Sequence, residues 1–392
     1  MYSSAPVVRT HILERRSSSG GLASLLGIVV IFCLPFVHLG RSEFASVSFA
    51  LFALVGGYLA LVRFSYLARA LIGPVGIAAA AAILFSIFRQ DDPLFLTNLR
   101  ELASIALLAT LASSSSEVDE KCVRAFTLVS IGVAALAAVQ TMDALFIHSG
   151  KFFIPGNYYN LDYGTLSAEL YERYGSFSRP SATFSEPSSL GAFGLCVCFV
   201  AGVLKLRKLL LVGVTITILS ASLSSLACLP IIILSFYGRL NKIQRLMVGV
   251  ACVLGMSLLA ARLSTVVSGE DASTMQRLYF PFRVLVEHWN ILGLDQQRAL
   301  MYASSLGAEK NIFDNFLLGK ALLSGLYVIF VFGAFFRLFG WKFFILFCAF
   351  CMINGSPLYY DRFVMLSAVV FVVGRKVLPE RHQGRAVRVA TC

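Results

Sequence analysis

The stretch Arg179-Pro-Ser-Ala-Thr-Phe-Ser-Glu-Pro-Ser-Ser-Leu-Gly191 sets a guanidinium and a carboxylate seven residues apart, where a polar loop runs into an apolar segment. A fixed guanidinium stabilises charge that develops on a leaving group, and a carboxylate accepts a proton. Pro187 suits the first turn of a helix, where a missing N–H costs nothing. Glu186 then falls at the positive end of that helix. By itself, Glu186 reads as a capping carboxylate, stabilised by the helix dipole by under about 1 kcal/mol. Arg173 and Arg179 by themselves read as ordinary loop charges.

A second group of candidates follows. Ser273-Thr-Met-Gln276 is a capping-box pattern. It predicts a helix reaching about Trp289 and disturbed at Pro281. Leu278, Phe282, Leu285, Val286 and Trp289 can lie on a membrane interface. Arg277 falls in the first turns, where a helix N-terminus and a guanidinium together could seat a phosphate. The competing reading is an interfacial helix whose arginines meet lipid headgroups. Arg283 and His288 are weaker candidates. Asp314-Asn315 reads as a helix cap. Lys320 sits inside the apolar run that follows. An ionisable group there either pairs, faces a cavity or snorkels outward.

The elements that position these residues are apolar. The chain has 392 residues, 58% hydrophobic and 14% charged, against about a quarter charged in a soluble domain. Long apolar runs such as 21–39, 44–62, 70–88, 125–147 and 316–336 have the length of membrane-spanning helices. The expected fold is an all-α polytopic integral membrane protein with about twelve spans: 21–39, 44–62, 70–88, 94–112, 125–147, 189–204, 209–220, 224–237, 246–260, 315–336, 342–353 and 363–374. The span most open to doubt, 209–237, is one long pass or two short ones around Ser220-Ala-Ser-Leu-Ser-Ser225.

Basic residues collect on cytoplasmic loops. With two passes and both termini inside, 20 of the 33 Lys and Arg lie on the cytoplasmic side; with one pass the split is 17 to 16. Charge therefore favours two passes. The domain plan is a cytoplasmic tail at 1–20, a membrane domain at 21–374 with outer loops at 148–188 and 261–314, and a basic cytoplasmic tail at 375–392. Arg9, Arg15 and Arg16 precede the first apolar run without a small-residue cleavage site, which reads as an uncleaved anchor.

The net charge of +12 is thus mostly a topology signal, and nucleic acid is not an expected partner. Most of the nine cysteines lie in apolar runs and read as small apolar side chains, with no disulfide framework. The five histidines are scattered, and neither loop carries a DxD-like motif, so no metal is expected. No glycine-rich phosphate loop occurs. The first loop is aromatic (Phe152, Phe153, Tyr158, Tyr159, Tyr163, Tyr171, Tyr174 and Phe177), which suits interfacial anchoring or stacking on a sugar face. Lys320, Arg100, Glu101 and Asp143 would also suit a transporter, although no half-to-half repeat accompanies them.

Arg179…Phe184-Ser-Glu186-Pro187-Ser-Ser-Leu-Gly191 resembles the Arg…Phe-x-Glu-Pro-Ser element of the O-antigen polymerase/ligase superfamily. Leu219-Ser-Ala-Ser-Leu-Ser-Ser225 is similar to the Ser-rich break of that family. Ser273…Arg277, Trp289-Asn-Ile-Leu-Gly-Leu294, Asp314-Asn315 and Gly325 follow its second-loop order. The resemblance covers roughly 170–335. The ligase branch has His before the Asn, whereas this chain has Asp314, which favours the polymerase branch.

The resemblance implies glycosyl transfer at the outer face of a bacterial inner membrane, from a polyprenyl diphosphate carrier to a second lipid-linked repeat. It implies Arg179 and Arg277 at the diphosphate, with Arg173 and Arg283 behind them. It implies Glu186 as first and Asp314 as second choice of base, with Asn315 and Lys320 nearby. It implies no cofactor. The expected partners are lipid-linked oligosaccharide, membrane lipids, and a flippase and chain-length regulator of the same assembly. The alternatives are an O-antigen ligase and a lipid-linked-sugar flippase or transporter.

Overall fold

The computed structural model describes residues 25, 27–36, 64–89, 95–114, 120–147, 149, 151–152, 180–184, 186–236, 275–308, 315–353 and 361–373, with isolated positions at 50–61 and 245–257. The described residues are helical with no strand. The helices are α1 (Phe64–Ile72), α2 (Pro74–Arg89), α3 (Phe95–Ser114), α4 (Glu120–Met142), α5 (Pro187–Leu204), α6 (Arg207–Leu219), α7 (Leu223–Leu234), α8 (Phe280–His288), α9 (Gln296–Ser305), α10 (Phe316–Ser324), α11 (Tyr327–Ile353) and α12 (Asp361–Val373). Spans 44–62 and 246–260 and both terminal tails lie largely outside the described residues.

Among the described residues, three helical stretches are long and apolar enough to cross a membrane by length and composition: Glu120–Ile147, Pro187–Leu204 and Tyr327–Met352, the last of them interrupted at Gly340. The sequence reading counted twelve spans. Leu61, Phe64, Ile72, Ile87, Phe88, Leu128 and Phe146 point outward, while Glu101, Gln140, Asp143 and Lys320 point inward. Apolar side chains outside and polar ones inside is the arrangement a bilayer solvates.

Helix α5 is the hub. Every residue from Ser189 to Val203 is buried, as expected of a helix that is apolar all round. It packs on α6, α7, α11 and α12. Small residues set the distances. A Cβ on Gly194 would lie 2.9 Å from the Thr217 nitrogen, and one on Gly213 would lie 2.8 Å from the Cys198 nitrogen. Close backbone approach through glycine is how helices associate where lipid is as apolar as leucine.

These contacts also give direction. Gly191 faces Ser220 and Ser225, and Gly202 faces Phe236. Helix α6 therefore runs antiparallel to α5, and α7 returns parallel to it. The turn at Ser220–Ser222 lies near the Glu186 end of α5, and Phe236 lies near its Lys205 end. The stretch 209–237 is thus two helices, with the break where the Ser-rich sequence stands.

Two further breaks fall at glycines, the first of them between the expected spans 315–336 and 342–353. Within α11, Gly340 has φ 77° and ψ 170°. Phe335 stacks on Phe347 at 3.9 Å between ring centroids, although twelve residues of straight helix would separate them by about 18 Å. The stretch is a hairpin of two antiparallel arms, Tyr327–Phe339 and Trp341–Ile353. Its turn lies at the Lys205 end of α5, since Phe343 meets Phe199 at 6.1 Å.

The expected single span 315–336 is also corrected. Gly325 (φ 53°, ψ −132°) ends α10, and α10 folds back so that Phe316 stacks on Phe332. A positive φ with this ψ is open to glycine and strained for other residues, so the helix cannot continue through it.

Tyr327 and Met352 therefore stand at the Glu186 end of the bundle. The described parts of both long loops meet the helices at that same end.

Candidate functional site

Gln140, near the end of α4, organises the first loop. Its Oε1 accepts from the Ser181 nitrogen (3.0 Å) and the Ala182 nitrogen (2.7 Å). Its Nε2 donates to the Ala182 and Phe152 carbonyls, both at 3.0 Å. All four hydrogen-bonding positions of the amide are used, and the side chain is fully buried. One residue thus ties both ends of the loop to α4.

Ala182 sits at φ 51°, in a turn closed by a bond from the Phe184 nitrogen to the Ser181 carbonyl. Just before it, Asp143 accepts from the Ser149 nitrogen (3.0 Å) and hydroxyl (2.6 Å). The Asp143 weighed above as a transporter charge therefore orders the start of this loop.

The Gln140 clamp leads directly to Glu186. Pro187 occupies the first turn of α5 as expected, and Glu186 is the N-cap in extended conformation. Its carboxylate makes no capping bond to the helix backbone. Instead it accepts from the Ser188 hydroxyl at 2.8 Å. The dipole still favours the carboxylate there, but the oxygens are not spent on the helix amides. Arg173 and Arg179 lie outside the described residues.

Replacing Gln140 with Leu would strand two buried amide nitrogens and two carbonyls. The expected cost is about 2–5 kcal/mol, from about 1–3 kcal/mol per orphaned buried group with partial relaxation. A fall in the unfolding temperature of the purified Gln140→Leu protein checks this, with the Gln140→Glu protein between it and the native chain because acceptors remain.

The second loop docks through two glycines. The Leu294 nitrogen donates to the Leu322 carbonyl (2.8 Å), and the Leu326 nitrogen donates to the Ile291 carbonyl (2.9 Å). Gly293 has φ 85°, and a Cβ on it would lie 2.7 Å from the Ser324 nitrogen. A Cβ on Gly325 would lie 2.5 Å from the Gly293 nitrogen. Phe280, Val284, Leu294, Ala299, Ala303 and Leu322 form a small core of their own. Helices α8 and α9 are thereby fastened to α10.

Arg277 lies in a π turn, Met275–Tyr279, that runs straight into α8; its side chain, and Ser273 and Thr274 of the capping box, lie outside the described residues. Pro281 falls in the first turn of α8, so the disturbance expected there is the junction of the two helical forms. Arg283 donates from Nε to Glu287 at 2.7 Å and from a terminal nitrogen to the Tyr279 hydroxyl at 3.2 Å. The hydrogen bond to Glu287 and its charge raise the guanidinium pKa, so this charge is already engaged on its own helix. His288 stacks on Tyr302 at 3.8 Å.

Asn315 caps α10, accepting from the Leu318 nitrogen at 3.2 Å. Asp314 lies outside the described residues. Lys320 does not snorkel. It is 7% exposed, and its Nζ lies 2.7 Å from Glu101 Oε2 and 2.6 Å from Asn98 Oδ1, both on α3. The Tyr327 ring lies 5.6 Å from the same ammonium. Removing one partner of such a buried pair leaves a lone charge, at about 3–5 kcal/mol.

Sequence reasoning named Glu186, Lys320 and Glu101 but not the Gln140 clamp. An amide in an otherwise apolar run was the available signal. Among the described residues, no three His, Cys, Asp or Glu side chains converge as a metal site would require. No protein-family model matches the chain, and no curated protein matches it either.

Proposed function

We propose that this chain is a bacterial polysaccharide polymerase of the inner membrane, joining polyprenyl-diphosphate-linked repeat units at its outer face. The observation that carries the reading is the common end of the bundle reached by both loops. Gln140 brings the Glu186 segment there, and the Gly293–Gly325 contact brings the helix that follows Arg277 there. The similarity of Arg179–Gly191 to the Arg…Phe-x-Glu-Pro-Ser element supports the same reading.

In the proposed reaction, a hydroxyl of one lipid-linked repeat attacks the anomeric carbon of another. A C–O bond forms to the acceptor oxygen as the bond from the anomeric carbon to the diphosphate oxygen breaks. The hydroxyl proton passes to Glu186, with Asp314 as the second candidate. Polyprenyl diphosphate leaves with the bonding pair, and Arg179 and Arg277 offset the charge that builds on it. Arg173 is the reserve contact. Arg283 ranks lower because Glu287 already engages it. In this reading the protein crosses the membrane about twelve times with both termini inside, and the aromatic first loop contacts the glycan. It works beside a flippase and a chain-length regulator.

The test is reconstitution. Purified protein with lipid-linked repeats is expected to lengthen the glycan without nucleotide and in the presence of EDTA. In cells lacking the protein, single repeats are expected to accumulate on the carrier. Finished polymer that fails to reach lipid A core would indicate a ligase. Repeats trapped on the inner face would indicate a flippase.

A further inference from the structure

We infer that Lys320 is a positioning residue: its buried contact with Glu101 and Asn98 fixes the half-helix α10, and through α10 it holds the helix pair that follows the Arg277 turn. The inference rests on the proposed role of Arg277 only for its consequence in catalysis. The mechanical coupling stands on geometry alone.

Helix α10 spans only Phe316–Ser324. A helix this short has little stability of its own. Asn315 closes one end, with its amide also reaching the Met352 sulfur at 3.8 Å. Gly325 closes the other end and turns the chain back. Lys320 stands between them and bonds across to α3, at 2.6 Å to Asn98 and 2.7 Å to Glu101. Two turns of α3 thus grip a single ammonium. Tyr327, at the start of the next arm, puts its ring beside the same charge and meets Phe85 of α2 at 6.3 Å.

What α10 carries is the second loop. Leu322 lies in the core formed with Phe280 and Val284 of α8 and Ala299 and Ala303 of α9. The Leu322 carbonyl receives the Leu294 nitrogen, and the Leu326 nitrogen reaches the Ile291 carbonyl. Both bonds lie within six residues of Lys320. A charge buried in an apolar bundle holds its position strictly, because displacement separates it from Glu101 and Asn98. The same ion pair that resembles a transporter charge in the sequence serves here as the fixed point for an outer loop.

The experiment uses the full-length protein in lipid nanodiscs, comparing Lys320→Met, Glu101→Met, the double Met variant and the native chain. Hydrogen exchange is followed separately in 275–308 and 187–236, together with the rate of glycan extension. For Lys320→Met, exchange in 275–308 is expected to speed up about tenfold or more while 187–236 stays within about twofold, because a local opening and not the hub is affected. The double variant removes both charges and is expected to recover most of the protection and most of the extension rate. Uniform acceleration across both segments would overturn the inference, since the pair would then support only the bundle. Unchanged exchange in 275–308 would overturn it as well. Selective acceleration with undiminished glycan extension would leave the coupling in place and remove Arg277 from the proposed reaction.

Discussion

Glycan extension is expected to be lost when Arg179 or Arg277 becomes Ala, or Glu186 becomes Gln, with the amount of membrane-inserted protein unchanged. Removing one charge-stabilising group from a preorganised site slows the chemical step by about 10²–10³, or about 2.7–4 kcal/mol. Loss of a general base costs about 10²–10⁴. In a polymerisation these factors compound, since each added repeat passes through the same step, so long chains vanish before short ones. Arg283→Ala serves as the contrast. Its guanidinium is held by Glu287 and Tyr279, and the variant is expected to keep extension within about threefold of native, the scale of an exposed helical ion pair. Gel analysis of polymer length, beside immunoblots of the protein, reads all four. Native-length polymer from the Glu186→Gln protein would remove the carboxylate from the mechanism and leave Asp314 to be tested in its place.

Gly325→Ala has the second large effect. The added methyl enters the space of the Gly293 nitrogen, 2.5 Å from where its carbon would sit, and the obstacle is backbone that cannot rotate away. Gly325 also needs φ 53° with ψ −132°, which an L side chain resists. Steric overlap and backbone strain act together, and the expected loss is about 3–5 kcal/mol, at the upper end of single substitutions. The loss falls on the docking of Ile291–Leu294, so α8 and α9 should detach while α5–α7 persist. Protease sensitivity confined to 275–308, with extension abolished, is the expected readout. Gly293→Ala should reproduce it, since a Cβ there would lie 2.7 Å from the Ser324 nitrogen. Wild-type protease resistance in both variants would show that the two segments do not interlock.

Several features were legible because they are local. Pro187 after Glu186 marks the start of a helix, and α5 begins there. Asn315 before an apolar run marks a cap, and it accepts from Leu318 as a cap does. The serine-rich stretch at Ser220–Ser225 marks a break, and α6 and α7 part within it. Even here the chemistry was read only in part. Glu186 read alone as a carboxylate at the helix dipole, and it is the N-cap, but its oxygen takes the Ser188 hydroxyl and no helix amide.

Long apolar runs in the sequence by themselves determined an all-α chain with helices apolar enough to cross a membrane, and Pro187 after Glu186 determined where α5 starts. Burial of an apolar residue in a helix depends on composition over a few turns, which a sequence displays directly. Tertiary structure alone decided that the apolar run 316–336 is folded back at Gly325. A glycine in an apolar run continues a helix or reverses it according to what packs beside it. It alone decided which groups meet. Gln140 and Ala182 are 42 residues apart, and Lys320 and Asn98 are 222 apart. Such pairs are selected by the requirement that every buried polar group find a partner. That requirement acts in space, between whichever side chains the packing of the hub helix brings together.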